Sequence, residues 1–156
     1  GSRLMTQGGF LLNNQLTDFS FKYEVDGKLI ANRLQPGKRP RSSMSPTIIL
    51  KDGNPFLVIG SPGGSNIINF VINSIIAFLE WDLDIQQSVS LPHAINKWGK
   101  YEIEESLSVT NLKHSLELMG YETKYRKYFS GLNAIYIGEM LEGGTDPRRE
   151  GIVLGN

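Results

Sequence analysis

Cysteine is absent from the 156-residue chain, which excludes disulfide bonds and thiol chemistry and leaves the redox compartment open. Histidine is nearly absent as well: the chain contains only two, His93 and His114. They are far apart and have no metal-ligand spacing, so we expect a structural or surface role for both. The sequence therefore predicts no bound metal and no cofactor.

A net charge and a long hydrophobic run are absent as well. The 16 basic side chains balance the 16 acidic ones, so no overall field favours nucleic acid or an acidic membrane surface. The basic run Lys38-Arg39-Pro40-Arg41 is a local exception. The longest apolar stretch, residues 67 to 79, is interrupted by polar residues and is too short to span a bilayer.

Hydrophobic periodicity and turn residues divide the chain into short elements. An Asp-Gly turn at Asp52-Gly53 predicts a hairpin between strands at 47–50 and 56–59. Apolar pairs recur at helical spacing from Ile67 to Leu79 and predict one broad buried face. The remaining expectations are a turn-rich loop at 20–41, helices at 85–90 and from Thr110 to Gly120, strands at 8–12, 101–103, 121–128, 133–137 and 152–154, and a turn at 142–144. This pattern is typical of a mixed α/β layered domain.

The segment Gly60-Ser61-Pro62-Gly63-Gly64-Ser65, here called the glycine corner, joins the second hairpin strand to the long helix. Gly63 and Gly64 have no side chains to shield their N–H groups, and a helix N-terminus favours negative charge. Such a corner can hold an anion or an oxyanion. The alternative is an ordinary turn with Ser65 as the helix N-cap. No P-loop lysine follows, and no G-x-G-x-x-G is present.

Two further polar segments fall near predicted strands. In residues 13–19, Asp18 and Gln15 together suit a free α-amino group, and the alternative is an Asx-rich turn. In residues 39–47, serines beside arginines can grip a carboxylate or phosphate, and the alternative is a phosphosite-like or disordered loop. No serine has a base partner at suggestive spacing, so the chain alone resembles a binding half of an enzyme.

Four segments, in this order, resemble the small subunit of γ-glutamyltranspeptidases, which are N-terminal-nucleophile hydrolases. They are GFLLNNQLTDFS at 9–20, KRPRSSMSPTI at 38–48, GSPGGSNII at 60–68 and DPRREG at 146–151. The resemblance implies a four-layer αββα sandwich, with residues 1–156 as one incomplete C-terminal domain. It also implies transfer of the γ-glutamyl group of glutathione or related amides to water or to amino acid and peptide acceptors, through a γ-glutamyl-enzyme intermediate.

The resemblance also implies specific site residues. They are Gln15 and Asp18 for the substrate α-amino group, Ser42 and Ser43 for its α-carboxylate, and Gly63 and Gly64 for the oxyanion hole. Two departures are local: Asn66 stands where an arginine is usual, and Thr17 where an acid is common. The segment 20–38 corresponds to a lid in some members, but its sequence differs.

The nucleophile is the main departure. The family uses a threonine freed by self-cleavage a few dozen residues before the N-N-Q segment, whereas only 12 residues precede Asn13 here and Thr6 is too close. We therefore assign no nucleophile and expect the chain to be inactive alone.

The expected partner is the large subunit of the same precursor, in the periplasm or outside the cell, and a homodimer of the fragment is a further expectation. The alternatives are a related acylase or poly-γ-glutamate-processing enzyme, and a non-catalytic binding module.

Overall fold

The computed structural model describes residues 2–106 and 110–155. The chain divides into two compact units, Gly1–Ser42 and Ser43–Asn156. The helices are α1 Ile67–Glu80, α2 Ile85–Ser90 and α3 Thr110–Leu118, with 3-10 turns at Gln15–Asp18 and Gly64–Asn66. The strands are β1 Glu24–Val25, β2 Lys28–Leu29, β3 Thr47–Lys51, β4 Asn54–Gly60, β5 Ala94–Ile95, β6 Tyr101–Glu104, β7 Thr123–Arg126, β8 Asn133–Ile137 and β9 Leu141–Thr145. None of the helices in the described ranges is long and apolar enough to cross a membrane.

The first unit contains little regular structure. Its hairpin, β1 with β2, turns at Asp26 and Gly27, which both adopt positive φ (51° and 72°). The strand predicted at 8–12 is wrong, because Gly9 adopts φ 79° and the chain reverses there. Only an isolated bridge between Met5 and Leu11 remains.

The second unit is built on a four-stranded antiparallel sheet in the order β3-β4-β8-β9. The predicted hairpin is confirmed: Lys51 pairs with Asn54, and Asp52 and Gly53 adopt φ 52° and 80°. Positive φ at both central residues gives a turn whose twist matches that of the strands.

Helices α1 and α2 cover one face of this sheet. Leu57 and Ile59 of β4 are buried against Phe70 and Val71 of α1 and Val89 of α2, in one hydrophobic cluster. Burial of such side chains contributes about 1.5–3 kcal/mol each. This core fixes the angle at which β4 leads into α1, and the glycine corner lies at that junction.

Glycine permits the close approach of α2 to the edge strand. A Cβ atom at Gly144 would lie 2.8 Å from the carbonyl oxygen of Ile85. The turn predicted at 142–144 is therefore wrong: these residues belong to β9, and Gly144 is required there by packing rather than by a change of chain direction.

The opposite face of the sheet carries an apolar row. Ile48 pairs with Val58, and Val58 with Ile135, so the three side chains share one face. Ile48 and Ile135 are 63% and 49% exposed. Residues 152–154 form no strand, so the edge strand predicted there is wrong; instead Val153 lies against Gly143.

Helix α1 has the predicted length but buries less of its surface than the sequence suggested. Ile67, Phe70 and Val71 are buried, whereas the second member of each apolar pair, such as Ile68 or Ile72, is exposed. Adjacent residues point about 100° apart on a helix, so only one member of each pair meets the sheet.

A second sheet has the order β5-β6-β7, with β6 and β7 parallel and joined through α3. Ile103 and Leu116 form its small core. The predicted helix end is confirmed, because Gly120 adopts φ 88° just after α3. Leu112 of α3 and Met119, which directly follows the helix, are exposed.

Candidate functional site

The glycine corner has a backbone that only glycine adopts without strain. Gly63 has φ 145° and Gly64 has φ 59°. A Cβ atom at Gly63 would also lie 2.5 Å from Cε2 of Phe70, whereas one at Gly64 would meet nothing within 4 Å. Gly63 is therefore required by both space and conformation, and Gly64 by conformation alone.

The N–H groups of Gly63 and Gly64 make no hydrogen bond to any residue in the described ranges. Ser65 is not the N-cap of α1: that position is Asn66, whose side chain makes no capping bond. Two adjacent N–H groups at the start of a helix are the donors an oxyanion requires. The corner therefore has the chemistry of an anion site.

The segment 129–131 supports the corner through several contacts. Gly131 donates its N–H to the Ser61 hydroxyl at 3.2 Å, and Ser61 donates to the Pro62 carbonyl at 2.7 Å. Arg149, from the DPRREG segment, donates to two carbonyl oxygens of segment 129–131, both at 3.0 Å. A Cβ at Gly131 would lie 2.7 Å from Arg149 Cδ and 3.0 Å from Pro62 Cγ. The C-terminal motif therefore connects to the corner.

Two polar side chains at the corner, Lys97 and Asn66, each lack an expected partner among the described residues. Lys97 Nζ donates to the Ser65 hydroxyl at 2.9 Å and forms no ion pair with any side chain in the described part of the chain. Asn66 is buried, and its Oδ1 has no hydrogen-bond partner among the described residues.

A largely buried group of five polar side chains, here called the polar core cluster, connects strand β6 to the segments that precede β8 and follow β9. Its members are His93, Glu104, Ser130, Asp146 and Arg148. Arg148 organises the cluster: Nε and Nη2 donate to the two Glu104 oxygens, both at 2.6 Å, and Nη1 donates to Asp146 Oδ1 at 2.9 Å. This bidentate geometry is the strongest form of the arginine–carboxylate pair.

The remaining contacts of the cluster fix the protonation of His93. The Ser130 hydroxyl donates to Asp146 Oδ2 at 2.5 Å, so its oxygen accepts from Nε2–H of His93 at 2.7 Å. Burial, helped by the charge of Arg148, lowers the pKa of His93 to about 4. Phe70 stacks on the ring with centroids 4.2 Å apart. His93 is thus a neutral hydrogen-bond donor within the core.

The serine of this cluster is not an activated nucleophile. The hydroxyl of an activated serine donates to a histidine or lysine base, whereas Ser130 donates to the Asp146 carboxylate and accepts a hydrogen bond from His93. Burial acts to raise the pKa of both Asp146 and Glu104, but hydrogen bonds outweigh it and hold both pKa values below their usual range. Asp146 accepts these bonds from Ser130 and Arg148. Glu104 accepts them from Arg148 and from the His93 amide. The cluster is structural.

Gln15 and Asp18 bound the first 3-10 turn, and both side chains are exposed. The Asx turn allowed by the sequence is present, because Asn13 Oδ1 accepts the N–H of Gln15 at 3.1 Å. Asn32 Nδ2 donates to the Asp18 carbonyl at 2.7 Å, which ties this turn to the segment that follows the first hairpin.

Ser42 and Ser43 lie in an extended segment that leads into β3. Ser42 is exposed and Ser43 is half-buried, with the Ser43 carbonyl accepting from the Ser45 hydroxyl at 3.0 Å. Gln15, Asp18 and Ser42 belong to the first unit, and Ser43, Gly63 and Gly64 to the second. Among the described residues, no group of three or more His, Cys, Asp or Glu side chains could hold a metal ion.

Comparison with known proteins assigns the chain to a family. The sequence model described as gamma-glutamyltranspeptidase matches residues 1–156. The chain belongs to the gamma-glutamyltranspeptidase family. Its relatives include the glutathione hydrolase proenzyme of Escherichia coli, which is 37% identical over 151 residues covering 91% of this chain and 26% of the relative. The chain therefore spans about a quarter of that protein's length.

Solved gamma-glutamyltranspeptidases share the fold. The enzyme from Pseudomonas nitroreducens complexed with L-DON superposes with a TM-score of 0.83 at 29% identity, covering 100% of this chain and 87% of that chain. The T380A mutant of the Helicobacter pylori enzyme gives 0.81 at 36% identity, covering 95% and 86%. The fold is that of the N-terminal-nucleophile hydrolases, a four-layer αββα sandwich, of which this chain forms a portion.

Proposed function

We propose that this chain is part of an enzyme that transfers the γ-glutamyl group of glutathione or related γ-glutamyl amides to water or to amino acid and peptide acceptors. The observation that carries the proposal is the glycine corner, where Gly63 and Gly64 present two N–H groups without an acceptor in the described ranges. Because the chain belongs to the gamma-glutamyltranspeptidase family, we propose that these donors bind the oxyanion formed during γ-glutamyl transfer.

In the proposed reaction, a nucleophilic hydroxyl outside this chain attacks the γ-carbonyl carbon and gives up its proton. The carbonyl oxygen becomes an oxyanion and accepts hydrogen bonds from the N–H groups of Gly63 and Gly64. The C–N bond then breaks, the leaving amine takes a proton, and a γ-glutamyl ester remains. Water or an amine then attacks the ester carbonyl carbon and loses a proton, and a second oxyanion forms at the same donors. The ester C–O bond breaks, the nucleophile's oxygen regains a proton, and glutamate or a new γ-glutamyl amide is released.

Substrate recognition is proposed for the polar residues that precede the corner in sequence. Asp18 and Gln15 suit the α-ammonium group, since a carboxylate and an amide oxygen both accept from it. Ser42 and Ser43 suit the α-carboxylate, because adjacent hydroxyls can both donate to it. The exposure of Gln15, Asp18 and Ser42 leaves these side chains accessible to a ligand.

The nucleophile is proposed to be a threonine that self-cleavage frees at the N-terminus of the small subunit, a few dozen residues before the N-N-Q segment. The rest of the carboxylate site is proposed to come from the large subunit of the same precursor. The E. coli relative is named a proenzyme and is about four times the length of the matched segment, which agrees with this division. We propose a periplasmic or extracellular location, and no turnover by residues 1–156 alone.

The test uses the complete protein that contains this chain, with γ-glutamyl anilide as substrate. We expect release of the aniline by the complete protein and none by residues 1–156. A matched glutaryl anilide lacks the α-amino group, and an acetyl anilide lacks both α-substituents. Both should react at least about 100-fold more slowly, because the polar groups proposed to bind those substituents would have no partner on the substrate. Comparable rates on all three would contradict the proposal and favour a general acylase. A complete protein without a threonine at the processing position would favour a binding module.

A further inference from the structure

Lys97 is the cation bonded directly to the glycine corner. Its Nζ donates to the Ser65 hydroxyl at 2.9 Å, and Ser65 follows Gly64 in the chain. Lys97 has no carboxylate partner among the described residues, although it lies close in sequence to Lys100, which pairs with Glu122 at 2.9 Å. A lysine without a carboxylate partner in the described ranges is therefore bonded to the residue that directly follows the two unbonded N–H groups.

The Ser65 hydroxyl transmits the effect of this lysine to the corner. One lone pair of the hydroxyl oxygen is occupied by the ammonium, and the hydroxyl proton has no acceptor in the described part of the chain. A hydroxyl that accepts from a cation is a stronger donor, since hydrogen bonds in a chain polarise one another. The bond also restrains the residue next to Gly64, and thereby the direction of the Gly64 N–H.

We propose that Lys97 is a positioning residue for the reaction, which acts through Ser65 to orient the glycine corner and to add positive charge where the oxyanion forms. The inference rests on the oxyanion role proposed for Gly63 and Gly64. A charge that helps only when negative charge develops in the transition state raises kcat and leaves KM nearly unchanged.

The experiment replaces Lys97 in the complete protein and measures hydrolysis of γ-glutamyl anilide, with rates normalised to the burst of aniline so that only mature sites count. Lys97→Met should lower kcat by on the order of tenfold with KM within about twofold, the size of one charge-assisted hydrogen bond. Lys97→Arg keeps the charge and a donor and should retain most of kcat. Lys100→Met removes the same charge from an exposed ion pair and is the matched control.

Ser65→Ala tests the same bond from the other side. It should also lower kcat, and the double variant with Lys97→Met should be no worse than the more impaired single variant, because both remove one interaction. Raising ionic strength should reduce kcat of the unsubstituted protein more than that of Lys97→Met.

The single variants would overturn the inference through any of three results: an unchanged kcat in Lys97→Met, a change confined to KM, or equal losses in Lys97→Met and Lys100→Met. Additive losses in the double variant would also contradict it, since Lys97 would then act independently of Ser65. If the unsubstituted complete protein releases no aniline from γ-glutamyl anilide, the proposed function fails and this inference with it. An active protein with an unaffected Lys97→Met variant rejects this inference alone.

Discussion

Arg148 and Glu104 form a bidentate ion pair, with two N–H···O bonds of 2.6 Å, between the DPRREG segment and strand β6. Both side chains are about 15% exposed or less, and Arg148 also binds Asp146. The pair therefore fixes the C-terminal segment to the second sheet. Through Arg149 and segment 129–131, the same C-terminal segment also contacts the glycine corner.

Arg148→Met is expected to destabilise the protein by about 3–5 kcal/mol, because it leaves two largely buried carboxylates without their cation. Urea unfolding of the complete protein measures the change. Lys100→Met, which breaks an exposed ion pair with Glu122, is the matched control and should cost less than about 1 kcal/mol. Similar losses in both variants would mean that the buried pair contributes no more than a surface pair.

The hairpin and the main helix could be predicted from sequence because their signals are local. The residues that specify the turn, Asp52 and Gly53, are the residues that form it. In the same way, the apolar repeat from Ile67 to Leu79 lies within the helix that it specifies. Gly144 misled the prediction, since a glycine required by a helix packed across it looks like a turn glycine in sequence. Which member of each apolar pair is buried depends on where the sheet lies, and that is a tertiary property.

The polar core cluster could not be predicted for the same reason. His93 and Ser130 are 37 positions apart, and nothing near either residue indicates the other. The DPRREG segment was recognised only as a part of the family resemblance, and its Arg148 contacts span 44 positions. The glycine corner was predicted correctly as a junction of strand and helix, because its residues are consecutive, while the roles of the six site residues stay predictions.

His93 should make stability sensitive to mild acid. Its pKa is about 4 in the folded protein against an ordinary value of 6.5, so the unfolded chain takes up the proton first as pH falls. The contribution of neutral His93 to the free energy of unfolding is complete above about pH 6.5 and is lost as pH falls through about 4. The loss amounts to up to about 3 kcal/mol.

Melting temperature measured from pH 7.5 to 4 checks this expectation. His93→Gln keeps a donor for Ser130 but does not titrate, so it should remove much of the slope between pH 6.5 and 4. His114→Gln, at an exposed position, should leave the slope unchanged. Glu104 and Asp146, whose pKa values are also lowered, lose their contribution at still lower pH and should leave a residual slope in the His93 variant. A full slope in His93→Gln would contradict the assignment.

Gly144→Ala should destabilise the packing of α2 on the sheet. The new methyl would lie 2.8 Å from a backbone carbonyl oxygen of Ile85, which cannot move aside like a side chain. Overpacking of this kind costs about 1–3 kcal/mol. Gly155→Ala adds the same methyl where nothing lies within 4 Å, and its stability should be unchanged. Urea midpoints of the two variants measure the difference, and equal midpoints would show that α2 shifts freely.

The two glycines of the corner should respond differently to alanine, although both would lose oxyanion geometry if displaced. Gly63→Ala meets Phe70 at 2.5 Å and also has an unfavourable φ of 145°, so the corner must move. We expect kcat on γ-glutamyl anilide to fall by at least about 100-fold, the effect of losing one oxyanion donor.

Gly64 has φ 59° and open space, so Gly64→Ala costs only about 1–2 kcal/mol of backbone strain. Asparagine tolerates this conformation better than alanine, so Gly64→Asn should be the more stable and more active of the two Gly64 variants. Equal activities of Gly63→Ala and Gly64→Asn would contradict the steric argument, because only the first of these variants places a methyl against Phe70.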